Sequence, residues 1–219
     1  MDIENLSIAE AKKMGLGSFG HLGKTFASFM DKILIENYED FIRQLYKDLD
    51  EVIQTLQLNR ELRQKDSEDR ITIDIVNILS AKGYTSSHDK KSGGHVDITV
   101  ELRDFIWFGE AKKHEAYGNL LEGFKQLCTR YTTGEVNQNN GGLLIYVFNK
   151  DTASVMEEWK RRLAEQDLRN YTASDCPNRP LSFFSTHIHD VSGKNFAVRH
   201  MPVMLHFAPQ DKSGLNRKS

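Results

Sequence analysis

Cysteine is scarce in this chain of 219 residues, which contains only Cys128 and Cys176. Two cysteines are too few for a disulfide framework or a zinc-ribbon pattern, so we expect free thiols in a reducing compartment. The first residues lack the basic start and apolar run of a secretory signal. No window approaches the roughly 18 apolar residues of a membrane span. The sequence therefore predicts a cytoplasmic protein with no membrane contact.

The chain also lacks an excess of positive charge, since 29 Lys and Arg residues stand against 31 Asp and Glu residues. The molecule as a whole would not attract nucleic acid, whose phosphates must be neutralised wherever a protein binds them. Any such contact would have to come from a local basic patch. The candidates for that patch are Lys90, Lys91, Lys112, Lys113, Lys125 and Arg130.

Glycine and proline are absent between Lys24 and Lys82. Within that stretch apolar residues recur at alternating steps of three and four: Ile35, Tyr38, Ile42, Leu45, Leu49, Val52 and Leu56. This spacing predicts an apolar stripe along a helix. We therefore predict that residues 1–65 form a helical extension, helical from residue 4 and broken near the glycines at 15–23. Two alternatives remain open for the stripe: packing on the chain's own domain, or a homodimer contact between N-terminal helices.

A different pattern begins after Lys65 and predicts a layered domain over residues 66–219. Asp66 and Ser67 suit a helix start, and Gly83 suits its end. A Ser-, Lys- and Gly-rich loop at 85–94 follows. The further predicted elements are strands His95–Glu101 and Phe105–Lys112, a helix at 115–131, strand Leu143–Phe148, helix Ala153–Gln166, and strands Leu181–His187 and Phe196–Phe207. Helices alternating with strands indicate an α/β or α+β architecture.

The two predicted strands at 95–101 and 105–112 carry charged residues on one face. Side chains alternate along a strand, so His95, Asp97 and Thr99 share a face of the first strand. Glu110 and Lys112 likewise share a face of the second. A tight turn at Arg103-Asp104 would then set three opposed pairs: Leu102 with Phe105, Asp97 with Glu110, and His95 with Lys112. Opposed side chains lie within about 5.5 Å, so two carboxylates and a lysine are predicted to converge.

Such a cluster suits a divalent cation, because two nearby carboxylates repel each other unless a cation lies between them. Magnesium prefers oxygen ligands and keeps several bound waters. A bound cation polarises a phosphoryl group and lowers the pKa of its water, and a nearby lysine can stabilise developing charge. The cluster of Asp97, Glu110 and Lys112 therefore points to hydrolysis of a phosphodiester.

Asp97, a spacer of twelve residues, and Glu110-x-Lys112 at the end of an apolar strand resemble the PD-(D/E)xK signature of restriction-endonuclease-like nucleases. The resemblance covers about residues 66–150. It implies that Asp97 and Glu110 are metal ligands and Lys112 the catalytic lysine. Glu68 would be the helix-borne acid that helps to hold the metal.

The same resemblance implies that Gln126 and Arg130 contact substrate. The sequence departs from the family in two places. Val96 precedes Asp97 where proline is common. Some branches place a tyrosine four residues after the helix glutamine, whereas here position 130 is Arg and Tyr131 follows it.

The expected fold is an α/β restriction-endonuclease-like core, with a mixed central sheet flanked by helices and preceded by the helical extension. The expected function is a Mg²⁺- or Mn²⁺-dependent nuclease, most simply a DNA endonuclease in restriction, defence or repair. The alternative is a catalytically silent nuclease-fold protein that binds nucleic acid or serves assembly. RNA instead of DNA stays open as the substrate.

Two other motifs have simpler explanations. Residues 15–20 match G-x-G-x-x-G, but the segment before them is predicted to be a helix, whereas a dinucleotide site follows a strand. His187 and His189 could suggest a second metal site, but alternation along a strand accounts for their spacing. Neither motif is therefore predicted to carry the function.

Overall fold

The computed structural model describes residues 20–91 and 94–211. The part of the predicted N-terminal helix before residue 20, and the glycine motif as far as Phe19, lie outside these ranges. Within them, no helix is both long and apolar enough to cross a bilayer.

The described N-terminal region consists of two helices, and the turn between them was not predicted from the sequence. Helix α1 (Gly20–Ile33) includes Gly23, and α2 spans Tyr38–Leu58. The predicted break near the glycines is therefore wrong from residue 20 onward. The chain turns at residues 34–37 instead, where the Asn37 side chain accepts a hydrogen bond from the Asp40 amide and caps α2.

The predicted apolar stripe, made of Ile35 and six residues of α2, packs against the chain's own sheet. All seven stripe residues are buried. They form one core cluster with sheet residues that include Val100 and Trp107. Of the two alternatives, the stripe therefore packs on the chain's own domain, and it is not available to a partner helix.

The remaining elements alternate between strands and helices. After a 3-10 turn (Arg60–Arg63) come α3 (Glu68–Ala81), β1 (Thr85–Ser87), β2 (Lys90–Lys91), β3 (His95–Val96), β4 (Ile98–Leu102), β5 (Phe105–Lys113), α4 (Tyr117–Gln126), a π-helical turn (Leu127–Tyr131), a 3-10 turn (Val136–Gln138), β6 (Asn140–Val147), α5 (Thr152–Ala164), β7 (Thr172–Asp175), β8 (Phe183–Ile188) and β9 (Asn195–Met204). Ser67 caps α3 through the Arg70 amide, and Gly83 follows that helix with φ 96°, as predicted.

The described strands form a mixed seven-stranded sheet in the order β1-β4-β5-β6-β9-β8-β7, and β2 pairs with β3 separately. Strands β5, β6 and β9 are parallel, and the outer pairs are antiparallel. The chain is thus an α/β protein with helices before a mixed sheet. The predicted loop at 85–94 contains β1 and β2. Strand β7 was not predicted because its four residues are all exposed and carry no apolar alternation.

Helices cover both faces of the sheet. The core between α2, α3 and one face is distinct from the core between α4, α5 and the other. In the first core the Trp107 indole lies over a pair of glycines, Gly109 of β5 and Gly142 of β6, which are opposite each other in the ladder. A Cβ added at Gly142 would lie 2.4 Å from the Trp107 ring, and one at Gly109 would lie 2.5 Å from it. The indole therefore occupies the space of two side chains.

Three buried histidines lie on the α4 side of the sheet or beside it: His187, His189 and His200. The two His200 ring nitrogens are paired, one with the Trp159 indole N–H and one with the Ser185 hydroxyl. Burial lowers the pKa of His187 to about 4 and that of His200 to about 3. The histidines are therefore part of the core. This agrees with the interpretation that the spacing of His187 and His189 reflects the alternation of side chains along a strand.

The buried histidines predict a loss of stability in mild acid. Below pH 6.5 the unfolded chain binds protons at His187 and His200 and the folded chain does not, so stability falls as the pH falls toward about 4. Each histidine should contribute about 2 kcal/mol of this loss between pH 7 and pH 5. We expect His187→Leu to lose less stability than the wild type between pH 7 and pH 5, measured by urea unfolding.

The exposed His95 offers the matched control for that experiment, since its side chain is 64% exposed. His95→Gln should follow the wild-type pH dependence. Equal losses in the wild type and in His187→Leu would contradict the prediction.

Candidate active site

The hairpin between β4 and β5 has the predicted register. Leu102 pairs with Phe105 and Ile98 with Gly109, so the ladder leads toward Asp97 and Glu110 as expected. Arg103 adopts a left-handed conformation at the turn, with φ 54°. Its guanidinium donates hydrogen bonds to carbonyl groups at the end of α1, including that of Lys32 at 3.2 Å. The turn is therefore tied to the N-terminal helices.

The predicted strand His95–Glu101 is interrupted at Asp97. The Asp97 carboxylate accepts a hydrogen bond of 2.9 Å from the Ala111 amide of β5. The bend also changes the alternation, since Val96 packs in the α4 core and Ile98 in the α2 core. The prediction that residues 95–99 alternate regularly is therefore wrong, because the Asp97 side chain occupies a position where backbone pairing would continue.

His95 does not lie opposite Lys112. It pairs with Lys91 in the small β2–β3 sheet, and its ring hydrogen-bonds to the Asp89 carboxylate. The predicted pairing of His95 with Lys112 is wrong because the ladder with β5 ends at Ile98 and His95 pairs with β2 instead. His95 is therefore not a member of the acid cluster.

Three carboxylates from three elements surround the ammonium group of Lys112. Its Nζ lies 2.6 Å from Glu110 Oε1, 3.6 Å from Asp97 Oδ2 and 3.8 Å from Glu68 Oε1. Glu110 and Lys112 come from the same face of β5, Asp97 from the bend before β4, and Glu68 from the first turn of α3. The structure thus brings together all four residues predicted as catalytic.

Glu68 is held by the backbone of β5. Its Oε2 accepts a hydrogen bond of 2.6 Å from the Lys113 amide. Burial raises the pKa of this carboxyl, and Lys112 opposes that rise. The neighbouring Asp69 is exposed. Of the two acids that begin α3, Glu68 is therefore the one that reaches the cluster.

Glu110 is the buried member of the cluster, with only 1% of its side chain exposed. Burial and the negative charge of Asp97 raise the pKa of Glu110 to about 7, against the effect of Lys112. Burial alone would lower the pKa of Lys112, but Glu110 and Asp97 outweigh it and the pKa is raised. Within the described ranges Glu110 Oε2 has no hydrogen-bond partner, although it is buried. One carboxylate oxygen is therefore free to bind an additional group.

No protein-family model, curated protein or solved structure matches this chain. The resemblance to PD-(D/E)xK nucleases therefore rests on the residues of this chain and their arrangement.

Gly123 of α4 gives the cluster its space. A Cβ at this position would lie 2.9 Å from Lys112 Cγ and 3.2 Å from Glu110 Cγ. Gly123 is one of the buried residues of α4 and faces the site. A glycine inside a helix, where Ala would be more favourable, is the signal for such a close approach.

The two predicted substrate contacts lie further along the same helical segment. Gln126, the last residue of α4, is half-buried one turn after Gly123, and Arg130 is exposed in the π-helical turn. A π turn contains one extra residue. Tyr131 is five residues after Gln126. Because of the extra residue, we infer that it lies close to where the fourth residue after Gln126 would lie in a regular α-helix.

Tyr131 is buried, and its position also supports the site. Its hydroxyl donates a hydrogen bond of 2.8 Å to the His95 carbonyl. A Cβ at Gly94 would lie 3.1 Å from its ring. Burial, Glu110 and Asp97 together raise the pKa of Tyr131 to about 12. Tyr131 thus fixes the backbone just before Asp97.

The surroundings of the site are not uniformly basic. A surface pocket of about 400 Å³ next to it is lined by Glu68, Lys112, Lys113, Glu115, Asn119 and Glu122. Of the predicted basic patch, Lys90 pairs with Glu101 and Lys113 lies over the Phe148 ring. The exposed patch members are Lys90, Lys91, Lys125 and Arg130.

The three carboxylates offer oxygen donors of the kind that bind a divalent metal ion. Across residues 20–91 and 94–211, no group of three or more histidine, cysteine or acidic side chains is arranged to hold one. The three carboxylates are instead arranged around the Lys112 ammonium. Their oxygens are nevertheless the ligands that Mg²⁺ and Mn²⁺ prefer. The chemistry of the set therefore fits such an ion, whereas the described side chains, arranged around the ammonium, do not form a ready cation site.

Proposed function

We propose that the chain is a metal-dependent nuclease with a restriction-endonuclease-like core, acting on DNA as an endonuclease in restriction, defence or repair. One observation carries the proposal. Glu68, Asp97 and Glu110, from three separate elements, converge on the ammonium of Lys112. The buried Glu110 Oε2 lacks a partner among the described residues and remains free for a cation.

A structural role accounts poorly for this cluster. Burying a carboxylate costs several kcal/mol unless it is well paired, and like charges nearby add to that cost. The raised pKa of Glu110, caused first by burial and then by Asp97, reflects the same cost. Clusters of acids that destabilise a fold are typical of sites that bind or react. The arrangement therefore supports a functional role.

Each residue has a distinct part in the proposed site. Asp97, Glu110 and Glu68 would hold Mg²⁺ or Mn²⁺, and Lys112 would stabilise charge on the phosphate. The cation, when bound, would polarise the phosphodiester and activate a water. Asp97 is oriented by the Ala111 amide and Glu68 by the Lys113 amide, so β5 positions both carboxylates. Gln126 and Arg130 would contact the nucleic acid beside this site.

The first test is cleavage by the purified wild-type protein. With Mg²⁺ or Mn²⁺ we expect nicking or cutting of DNA, complete inhibition by EDTA, and recovery on adding the cation back. Supercoiled plasmid, linear duplex, single-stranded DNA and RNA, run in parallel, would identify the substrate. Activity that persists in EDTA, or no cleavage of any substrate with either cation, would contradict the proposal.

The alternative function is binding or assembly without catalysis. It is favoured by the absence, among the described residues, of an acid group already arranged around a cation site. The near-neutral net charge of −2 also favours it. A binding-only protein should show no rise in melting temperature with Mg²⁺, whereas a ligand of the folded state raises it. Thermal melting with and without Mg²⁺ therefore separates the two functions.

A further inference from the structure

The position of Lys112 in the acid cluster bears on the stability of the metal-free protein as well as on catalysis. Its Nζ is within hydrogen-bonding distance of Glu110, at 2.6 Å, and within 4 Å of Asp97 and Glu68. Its side chain is only 20% exposed. A single positive charge thus lies among three carboxylates, in the place where their attraction for any cation is strongest.

Gly123 allows the lysine to adopt this position. A Cβ on Gly123 would lie 2.9 Å from Lys112 Cγ and 3.1 Å from its Cε. Real Cβ contacts are longer than this, so any larger residue would displace the stem of the lysine. The stem therefore lies flat against α4 and returns the ammonium to the carboxylates of Glu110 and Asp97.

We propose that Lys112 is the internal counter-ion of the acid cluster, held in place by Gly123, and that a divalent cation displaces its ammonium from Glu110. The displacement rests on the proposed function, because it requires that Glu68, Asp97 and Glu110 bind a cation. The counter-ion role concerns the metal-free protein and is measured without cleavage.

The proposal has two opposite consequences for stability and for binding. Without the ammonium, Glu110 would be buried beside Asp97 and Glu68 with no ion-pair partner among the described residues. Removing one partner of a buried ion pair is strongly destabilising. The same change would remove a competitor of the incoming cation. Loss of Lys112 should therefore weaken the metal-free protein and strengthen its response to a cation.

The experiment compares the wild type with Lys112→Met, which keeps the length of the side chain and removes its charge. In EDTA we expect the melting temperature of the variant to be lower by roughly 5 °C or more. On adding Mn²⁺ or Mg²⁺ we expect a larger rise in the variant than in the wild type. Equal stability in EDTA, or a rise no larger than that of the wild type, would overturn the proposal.

Two glycines of α4 provide a matched pair of variants that test whether Gly123 positions Lys112. Gly123→Ala should lower the melting temperature in EDTA and increase the response to Mn²⁺, as Lys112→Met does. Gly118→Ala is the control, because a Cβ there meets nothing within 4 Å among the described atoms. We expect it to be neutral or slightly stabilising, as alanine generally is in a helix. Identical behaviour of the two alanine variants would overturn the role of Gly123.

Lys112→Met alone could fail to fold, and Lys112→Met combined with Glu110→Gln keeps the proposal testable. The double variant removes both charges of the closest pair. We expect it to fold and, in EDTA, to melt above Lys112→Met. No recovery in the double variant would show that the loss did not come from the unpaired Glu110 carboxylate, and would overturn the counter-ion role.

The failure of this proposal is distinguishable from failure of the proposed function. Metal-dependent cleavage together with an unchanged melting temperature of Lys112→Met in EDTA would overturn the counter-ion role and leave the nuclease assignment standing. A loss of stability in EDTA with no cation-linked rise in either protein would overturn the displacement and the proposed metal site together.

Discussion

Asp97→Asn is expected to reduce DNA cleavage by at least about 100- to 1000-fold, because a cation bound at the site supplies several kcal/mol of transition-state stabilisation. Asparagine has the shape of aspartate and can still accept the hydrogen bond that the Ala111 amide donates to Asp97. The bend before β4 should therefore persist while the charge is lost. The measurement is the initial rate of plasmid cleavage, together with the melting temperature of each protein. Glu110→Gln, which also keeps its shape, should cause a similar loss.

Asp104→Asn is the control for these variants. Asp104 is exposed at the tip of the same hairpin, seven residues from Asp97, and its change removes the same charge from the molecule. It should cleave at the wild-type rate. Cleavage by folded Asp97→Asn at the rate of Asp104→Asn would exclude Asp97 from the reaction and remove the nuclease assignment.

A second large effect is expected at Asp48, far from the acid cluster. Its buried carboxylate is 1% exposed and lies 2.8 Å from the ammonium of Lys32 in α1 and 3.1 Å from that of Lys82. The hydroxyl of Tyr84 donates to it at 2.8 Å. Burial would raise the pKa of Asp48, but Lys32 and Tyr84 outweigh it and the pKa is lowered. The resulting stabilisation is therefore complete at neutral pH and is lost only as the pH falls below the ordinary range of a carboxyl.

Asp48→Asn should lower the free energy of unfolding by about 3–5 kcal/mol at pH 7, because it leaves the Lys32 ammonium, 4% exposed, without a counter-charge. Urea unfolding measures the loss. Limited proteolysis should also show faster cutting at residues 34–37, since Lys32 joins α1 to the rest of the domain.

Glu51→Gln serves as the comparison, because Glu51 pairs with Lys82 from the same helix as Asp48 but is 54% exposed. Exposed pairs contribute at most about 1 kcal/mol. Equal losses in the two variants would show that the burial of Asp48 does not set its contribution.

The sequence predicted much of the fold because hydrophobic periodicity is a local property. The helical stripe from Tyr38 to Leu56, the cap at Ser67 and the end at Gly83 were readable from spacing and residue type, and each is found as predicted. Ile35 is buried with the stripe but precedes the helix. Short edge strands were not predictable. In β7 no apolar residue alternates, and its pairing with β8 is made by backbone groups.

In the site, the relative positions of residues were predictable as far as the ladder between β4 and β5 extends. The register from Leu102 to Ile98 followed from the turn, and it placed Asp97 beside Glu110. The bend at Asp97 could not be predicted from the turn. It depends on the Asp97 carboxylate, which accepts the hydrogen bond of the Ala111 amide in place of a backbone carbonyl. The π-helical turn at Leu127–Tyr131 was likewise not predicted, since residues 115–131 were expected to form one helix.

The indole that spans β5 and β6 limits how this part of the chain can change over evolutionary time. Trp107 fits only while positions 109 and 142 both lack side chains, and either glycine can gain one only if the indole becomes smaller. These three positions should therefore be exchanged as a set among descendants of this sequence. Gly109 directly precedes Glu110, so such an exchange would alter the strand that carries part of the acid cluster. We therefore expect these three positions to change sequence more slowly than the surrounding core.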